Sequence, residues 1–255
     1  MSDRQKSVMS VRQIELDVMR YDPERDDAPH FQQYSVPCQE DWAILDALNY
    51  IKEHIDTTLS YRWSCHMMVC GSCGMMVNGE PSLTCKTFIR DLPDKVRVEP
   101  LANFPIERDL VVVLDDVMEK LQRAQLYIIR HDPPPAATQE YEQSHSALMK
   151  FKQYTMCINC MACYAACPQY ALDKEFIGPA VLALAHRYNL DSRDQGRAER
   201  LNILADHDGA WNCSFVGACS EVCPKHVDPA AAIQQMKIDG SIEWLKQKLL
   251  PGKAS

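Results

Sequence analysis

The sequence has no apolar stretch of the ~18–20 residues a helix needs to cross a bilayer. Its longest apolar runs, Leu110–Leu114 and Ala180–Ala185, are the size of core segments. The first ten residues are polar and carry no apolar core of a secretion signal, so a soluble chain is expected. It also lacks positive charge. Lys and Arg number 27 against 35 Asp and Glu, a formal charge of −8. That balance leaves no basic stripe for nucleic-acid phosphates and excludes unaided binding to anionic lipid. No G-x-G-x-x-G follows a strand pattern, so a dinucleotide site is not expected. The short run Gly71–Ser72–Cys73–Gly74 belongs to a cysteine loop instead. His54, His186 and His226 form no acid–base constellation and are expected to pack or face solvent. Bond-making catalysis is therefore expected on a partner.

What the sequence has in plenty is cysteine. Eleven of its 12 cysteines fall into three tight groups. Without a secretion signal such grouping reads as metal or redox ligation in a reducing environment, not as a disulfide framework. Cys38 stands outside the groups and is expected to be a small buried residue.

Cys65, Cys70, Cys73 and Cys85 are separated by four, two and eleven residues. That is the plant-type ligand spacing of a [2Fe–2S] cluster. The loop must wrap closely with backbone N–H groups toward sulfur, and Gly71 and Gly74 ease that wrapping. A four-cysteine zinc site is the alternative. It more often uses two C-x2-C knuckles, and only one is present here.

Cys157, Cys160, Cys163 and Cys167, followed by Pro168, give C-x2-C-x2-C-x3-C-P, the bacterial ferredoxin run whose fourth cysteine serves the other cluster. A second run is thus required. Cys213, Cys219 and Cys223, followed by Pro224, supply it with one member missing, since the position in rhythm holds Val216. Crossed pairing assigns Cys157, Cys160, Cys163 and Cys223 to a [4Fe–4S] cluster. Cys167, Cys213 and Cys219 remain for the other. Three thiolates with an apolar residue at the fourth corner suit [3Fe–4S].

Around these groups the chain changes character. Ile14, Leu16 and Val18 alternate with polar residues as in a strand, and Phe31–Val36 follows a turn-rich stretch as a hairpin partner. Asp41 is placed to cap a helix bearing Trp42, Leu45, Leu48, Ile51 and Ile55. Asn78–Gly79 signals a hairpin between Met75–Val77 and Leu83–Thr87, and Val96 and Val98 suggest one more strand. A helix is predicted over 110–124. The prolines at 133–135 cannot continue it, which predicts a domain boundary nearby. Helices are predicted at 144–156, 178–189, 197–206 and 229–249. The fold class expected is α+β: residues 1–130 as the [2Fe–2S] domain, a linker over about 105–140, and a helical domain over 140–255 for the other two clusters.

The chain resembles the iron–sulfur subunits of succinate dehydrogenase and fumarate reductase from about residue 10 to 250. The resemblance is carried by Ser60–Cys65, Cys70–Gly74 and Cys223–Pro229. Residues 102–109 and Glu175–Pro179 are similar to the fumarate reductase branch. Tyr170–Leu172 and Ser214 depart from the tryptophan pair and the histidine typical of succinate dehydrogenases. The resemblance implies a β-grasp, plant-ferredoxin-like N-terminal domain and an all-α ferredoxin-like C-terminal domain. It implies a flavoprotein partner holding covalent FAD, hydrophobic membrane-anchor subunits, and menaquinone at the interface with those anchors. It places the chain peripherally on the cytoplasmic side of the inner membrane, passing electrons from quinol toward fumarate in anaerobic respiration. Lys237 matches a lysine near the quinone; a solvated helix lysine is the alternative. His66 stands where relatives carry arginine, which replaces a fixed charge by a titratable one. Comparing the pH slope of the [2Fe–2S] potential in wild type and His66→Arg tests whether that matters; equal slopes answer no. The alternative functions are a succinate dehydrogenase subunit running the reverse reaction, a diffusible polyferredoxin, and a zinc-binding module.

Overall fold

The computed structural model describes residues 11–133, 135 and 138–249. The ten polar N-terminal residues and Pro134 of the proline run lie outside them. The chain divides into two compact units, Met1–Val113 and Leu114–Ser255.

The first unit is a mixed five-stranded sheet with one helix laid on it. Its strands are β1 (Val11–Arg20), β2 (His30–Gln39), β3 (Gly74–Val77), β4 (Glu80–Leu83) and β5 (Lys95–Glu99), in spatial order β2-β1-β5-β3-β4. β1 runs parallel to β5; the other pairs are antiparallel. Period-2 alternation puts Ile14, Leu16 and Val18 of β1 beside Tyr34, Val36 and Cys38 of β2 in one core, with Val96 and Val98 of β5. Cys38 is fully buried there, as its isolation in the sequence suggests.

Helix α1 (Ile44–Tyr50) covers that core with Ile44, Ala47 and Leu48, then widens into a π-turn over Ile51–Ile55. Its cap differs from expectation. Asp41 is exposed and outside the helix. The N-cap is Ala43, whose N–H donates to the Asp46 carboxylate at 2.8 Å. Docking of Ala43 against Phe88 fixes the start of the helix, and a one-sequence capping rule does not see that partner. The Asn78–Gly79 turn forms, with φ of 51° and 86°, both left-handed as the tight primed turns demand, and the strand after it is Glu80–Leu83, directly at the turn, in place of the expected Leu83–Thr87. A small ribbon of β6 (Ile106–Arg108) and β7 (Val111–Val112) completes the unit. The predicted helix over 110–124 is thus shorter at its start, and Val111–Val112 is a strand.

The regular elements among the described residues of the second unit are all helices. It comprises α2 (Asp115–Arg123), α3 (His145–Phe151), α4 (Ala162–Ala165), α5 (Pro168–Leu172), α6 (Pro179–Asn189), α7 (Arg197–Leu204), α8 (Ala218–Glu221) and α9 (Pro229–Leu249). α6 is the central rod. It is apolar on every side, and Val181, Leu182, Ala183 and Ala185 are fully buried. The short helices α4, α5 and α8 went unpredicted, being too brief to show a period.

Physical ties explain why compactness divides the chain before the prolines. Tyr170 donates its hydroxyl proton to Asp116 at 2.7 Å, and Lys120 donates to Asp116 and to the Lys174 carbonyl. Arg200, wholly buried, donates to the carbonyls of Gln125 and Tyr127 and pairs with Asp194. Ile129 is pinned to Asp194 and Gln195. Residues 115–131 are therefore fastened to the helices that follow. Among the described residues no helix is long and apolar enough to cross a membrane.

Candidate metal centres

The loop from Ser60 to Cys73 is held from below. Arg20, at the end of β1, donates Nε to Asp109 at 3.0 Å and Nη2 to Thr58 at 2.8 Å, and pairs with Asp56. The second oxygen of Asp109 accepts the Ser60 N–H at 2.8 Å. The clamp holds the Asp56 carboxyl far below the ordinary carboxylate range: hydrogen bonds from Thr58, Tyr34 and Arg20 outweigh its desolvation.

Beyond Ser60 the backbone coils around one sulfur. His66 and Met68 are left-handed at φ 55° and 56°, and Gly71 follows at 75°. These turns aim the N–H groups of Met67, Val69 and Cys70 at Cys65 Sγ, at 3.4, 3.3 and 3.3 Å. Donated hydrogen bonds favour an anion, and they draw the Cys65 thiol down to about 6, the Met67 N–H contributing most. Cys85 behaves in the opposite way: burial pushes it up to about 12, with Cys73 and Cys65 as its thiol neighbours. Cys70 donates its own N–H to Cys65 Sγ, and Cys65 and Cys73 both neighbour Cys85, so the loop brings the four cysteines together. Thr84, wholly buried, donates Oγ1 and N–H to the Cys73 carbonyl, both at 3.1 Å, fixing the spacing of Cys73 and Cys85. His66 sits at the rim with its ring edge-on to Trp63.

In the second unit the two cysteine runs fold as copies displaced by 56 residues. A 3-10 turn over Tyr154–Met156 precedes Cys157, and its counterpart over Ala210–Asn212 precedes Cys213. Left-handed residues recur at Asn159 and Phe215, then at Met161 and Gly217. Helix α4 answers α8, and each copy ends in Cys-Pro. By this superposition Val216 occupies the place of Cys160.

The thiols group across the copies. Cys157 and Cys160 each have Cys223 as an electrostatic neighbour, and Cys163 has Cys160, Cys157, Cys219 and Cys223. Cys157, Cys160, Cys163 and Cys223 line one cavity, which the small residues Ala180 and Ala183 of α6 leave open. Cys219 has Cys167 and Cys213 as neighbours instead. Backbone N–H groups again point at sulfur: Tyr170 to Cys167 and Phe215 to Cys213 at 3.4 Å, Val227 to Cys223 at 3.3 Å. Burial pushes Cys160 and Cys219 up to about 11 and Cys163 well above its ordinary value. In iron-free protein these thiols hold their protons, and metal binding must release them. Among the described residues no three His, Cys, Asp or Glu converge on a point that would hold a single ion. The thiols ring open space, and that donor set fits a polynuclear cluster.

Lys237 of α9 donates to the Cys213 carbonyl at 2.7 Å and lies 5.6 Å from the Trp211 ring centroid. His54, His186 and His226 are not brought together: His54 stacks on Tyr50, while His186 is buried edge-on to Tyr154. The Asn212 and Thr84 side chains, which brace ligand-bearing segments, were missed by sequence reasoning; adjacency to a cysteine was their only signal.

A family model for a 2Fe-2S iron–sulfur cluster binding domain matches residues 15–119, and one for a 4Fe-4S dicluster domain matches residues 149–224. Fold and sites together define an iron–sulfur protein with a mixed-sheet [2Fe–2S] unit and a helical dicluster unit. The chain is 56% identical over 239 residues to the fumarate reductase iron–sulfur subunit of Mycobacterium tuberculosis, covering 93% of this chain and 97% of that one. The corresponding Haemophilus influenzae subunit is 51% identical over 248 residues, with the same coverage. The succinate dehydrogenase iron–sulfur subunit of Coxiella burnetii is 36% identical, over 87% of this chain and 94% of its own. The chain belongs to the family of fumarate reductase iron–sulfur subunits. A solved chain of the Mycobacterium smegmatis Sdh1 complex in the apo form superimposes with a TM-score of 0.80 at 25% identity, over 96% of this chain and all of that one.

Proposed function

We propose that this chain conducts electrons from membrane quinol, menaquinol in the first instance, to a flavoprotein subunit that reduces fumarate to succinate. Fumarate and quinol become succinate and quinone, with two electrons and two protons moved. Iron–sulfur clusters supply one-electron steps between two-electron centres. The residues of this chain hold and tune them. Cys65, Cys70, Cys73 and Cys85 hold [2Fe–2S]; Cys157, Cys160, Cys163 and Cys223 hold [4Fe–4S]; Cys167, Cys213 and Cys219 hold [3Fe–4S]. The observation that carries this reading is the repeat itself, which puts Val216 where the other copy has Cys160.

On this reading the sheet unit is a β-grasp, plant-ferredoxin-like domain and the helical unit an all-α ferredoxin-like one, with the linker near 105–140. The anchor-facing side is marked by apolar residues left exposed on and near α9, namely Trp211, Phe215, Ile242, Trp244 and Leu245. Trp211, Trp244 and Leu245 line one open cavity, and the Lys237 ammonium lies beside Trp211. Quinone would sit on that side. The complex would lie at the inner membrane with this chain peripheral on its cytoplasmic face. Likeness to the Sdh1 complex favours the reverse reaction as the second reading.

The test is Cys167→Ser in the assembled complex. Quinol-driven fumarate reduction is expected to collapse, while fumarate reduction driven by a small dye at the flavoprotein persists. Unchanged quinol-driven turnover would overturn the proposal.

A further inference from the structure

The two cluster-binding copies are braced differently. On the four-cysteine side, one hydrogen bond joins the segment before Cys157 to the segment after Cys223: Gln153 Nε2 donates to the His226 carbonyl at 2.7 Å. On the three-cysteine side, Asn212 makes two. Its Oδ1 accepts from Gln169 Nε2, and its Nδ2 donates to Asp173 Oδ2, each at 2.7 Å. Gln169 lies in the first turn of α5, whose N-cap is Cys167, Asp173 is its C-cap, and Asn212 directly precedes Cys213. One side-chain amide thus locks the two ligand-bearing segments in register.

The same position in the other copy, 56 residues earlier, is Met156, half exposed and unable to form such a bracket. The stronger brace therefore lies on the side that has one thiolate fewer. A site with three metal–sulfur bonds has less to hold its ligands in place than one with four, and outer hydrogen bonds must supply the order. Lys237 adds to it by holding the Cys213 carbonyl from the opposite helix.

We infer that Asn212 is a positioning residue that takes over the geometric role of the missing fourth thiolate, holding Cys167 and Cys213 at the separation a three-iron cluster requires. The inference rests on the assignment of Cys167, Cys213 and Cys219 as ligands. It goes beyond that assignment by naming the residue that keeps them in place.

The experiment uses the assembled complex with wild-type chain, Asn212→Leu and Asp173→Leu. Each is air-oxidised and exposed to an iron chelator, and the oxidised three-iron paramagnetic signal is followed in time. The reduced-state signals of the other two clusters in the same samples report an intact fold. Asn212→Leu is expected to lose the three-iron signal at least about tenfold faster than wild type, the scale of losses when an outer partner of a metal ligand is removed. Asp173→Leu, which removes one bond of two, is expected to fall between. An Asn212→Leu signal as durable as wild type overturns the inference, as does a parallel loss of all three signals. A wild type silent in the oxidised state removes the ligand assignment and the inference with it.

Discussion

Cys65 and Cys85, both proposed as [2Fe–2S] ligands, have thiols in opposite chemical states. Three backbone N–H groups make Cys65 a ready thiolate, and burial keeps Cys85 protonated. In iron-free protein at neutral pH, iodoacetamide should therefore label Cys65 first and leave Cys85 unlabelled, as read by peptide mass spectrometry; equal labelling would contradict the amide-wrapped geometry. Val216 invites a second substitution. Val216→Cys restores the fourth thiol of the copy, so the oxidised protein should fall silent while a second cubane signal appears on reduction. The grouping of the cysteines was legible because it depends on spacing along a few neighbouring residues, and chain geometry holds that spacing local. Thr84, Asn212 and Arg20 were not, because each acts through partners that are unremarkable in sequence. Arg20 reaches Asp56 and Asp109, 36 and 89 residues away. Removing it leaves Asp109 a buried charge without its cation, a loss of about 3–5 kcal/mol. Arg20→Leu should accordingly bleach its [2Fe–2S] absorbance at much lower urea than wild type.

At the level of elements, sequence and structure agree where periodicity is long or turn chemistry is specific. The Asn78–Gly79 turn forms and α6 and α9 stand within a residue or two of expectation, whereas the strand after the turn is Glu80–Leu83 and not Leu83–Thr87. They part where tertiary contacts decide. Ala43 caps α1 because Phe88 docks beside it, and Val111–Val112 of the apolar run is a strand because it pairs with β6. Helix α6 carries a pH liability. His186 is buried against Tyr154, and burial drives its pKa down to about 4. Its folded value lies below its unfolded one near 6.5, so the unfolded chain binds the proton first. Stability is then full above about pH 6.5 and declines as pH falls toward 4, by up to about 3 kcal/mol. Denaturation midpoints of His186→Phe should flatten across that window; an unchanged slope would mean the decline arises elsewhere.

For the molecule as a whole, composition spoke early: a formal charge of −8 and 12 cysteines left little besides redox ligation. The prolines at 133–135 suggested a boundary within a linker over about 105–140, and compactness divides the chain at 113 and 114, at the early end of that stretch. Arg200 and Asp116 are the reason, since buried polar ties hold 115–131 to the helices and leave no composition signal. The exposed apolar end of α9 carries the proposed attachment. Trp244→Glu should release the chain from membranes on washing while its three clusters keep their spectra. The central claim, a three-iron site built on three thiolates, is tested most directly by electron paramagnetic resonance of the air-oxidised protein before any reductant is added. Oxidised [2Fe–2S] and [4Fe–4S] clusters of this kind are silent, whereas oxidised [3Fe–4S] has an odd electron count. About one spin per chain is the predicted result for a chain with this ligand set. Silence from a fully iron-loaded brown protein would mean a fourth iron occupies the Val216 corner and would contradict the account.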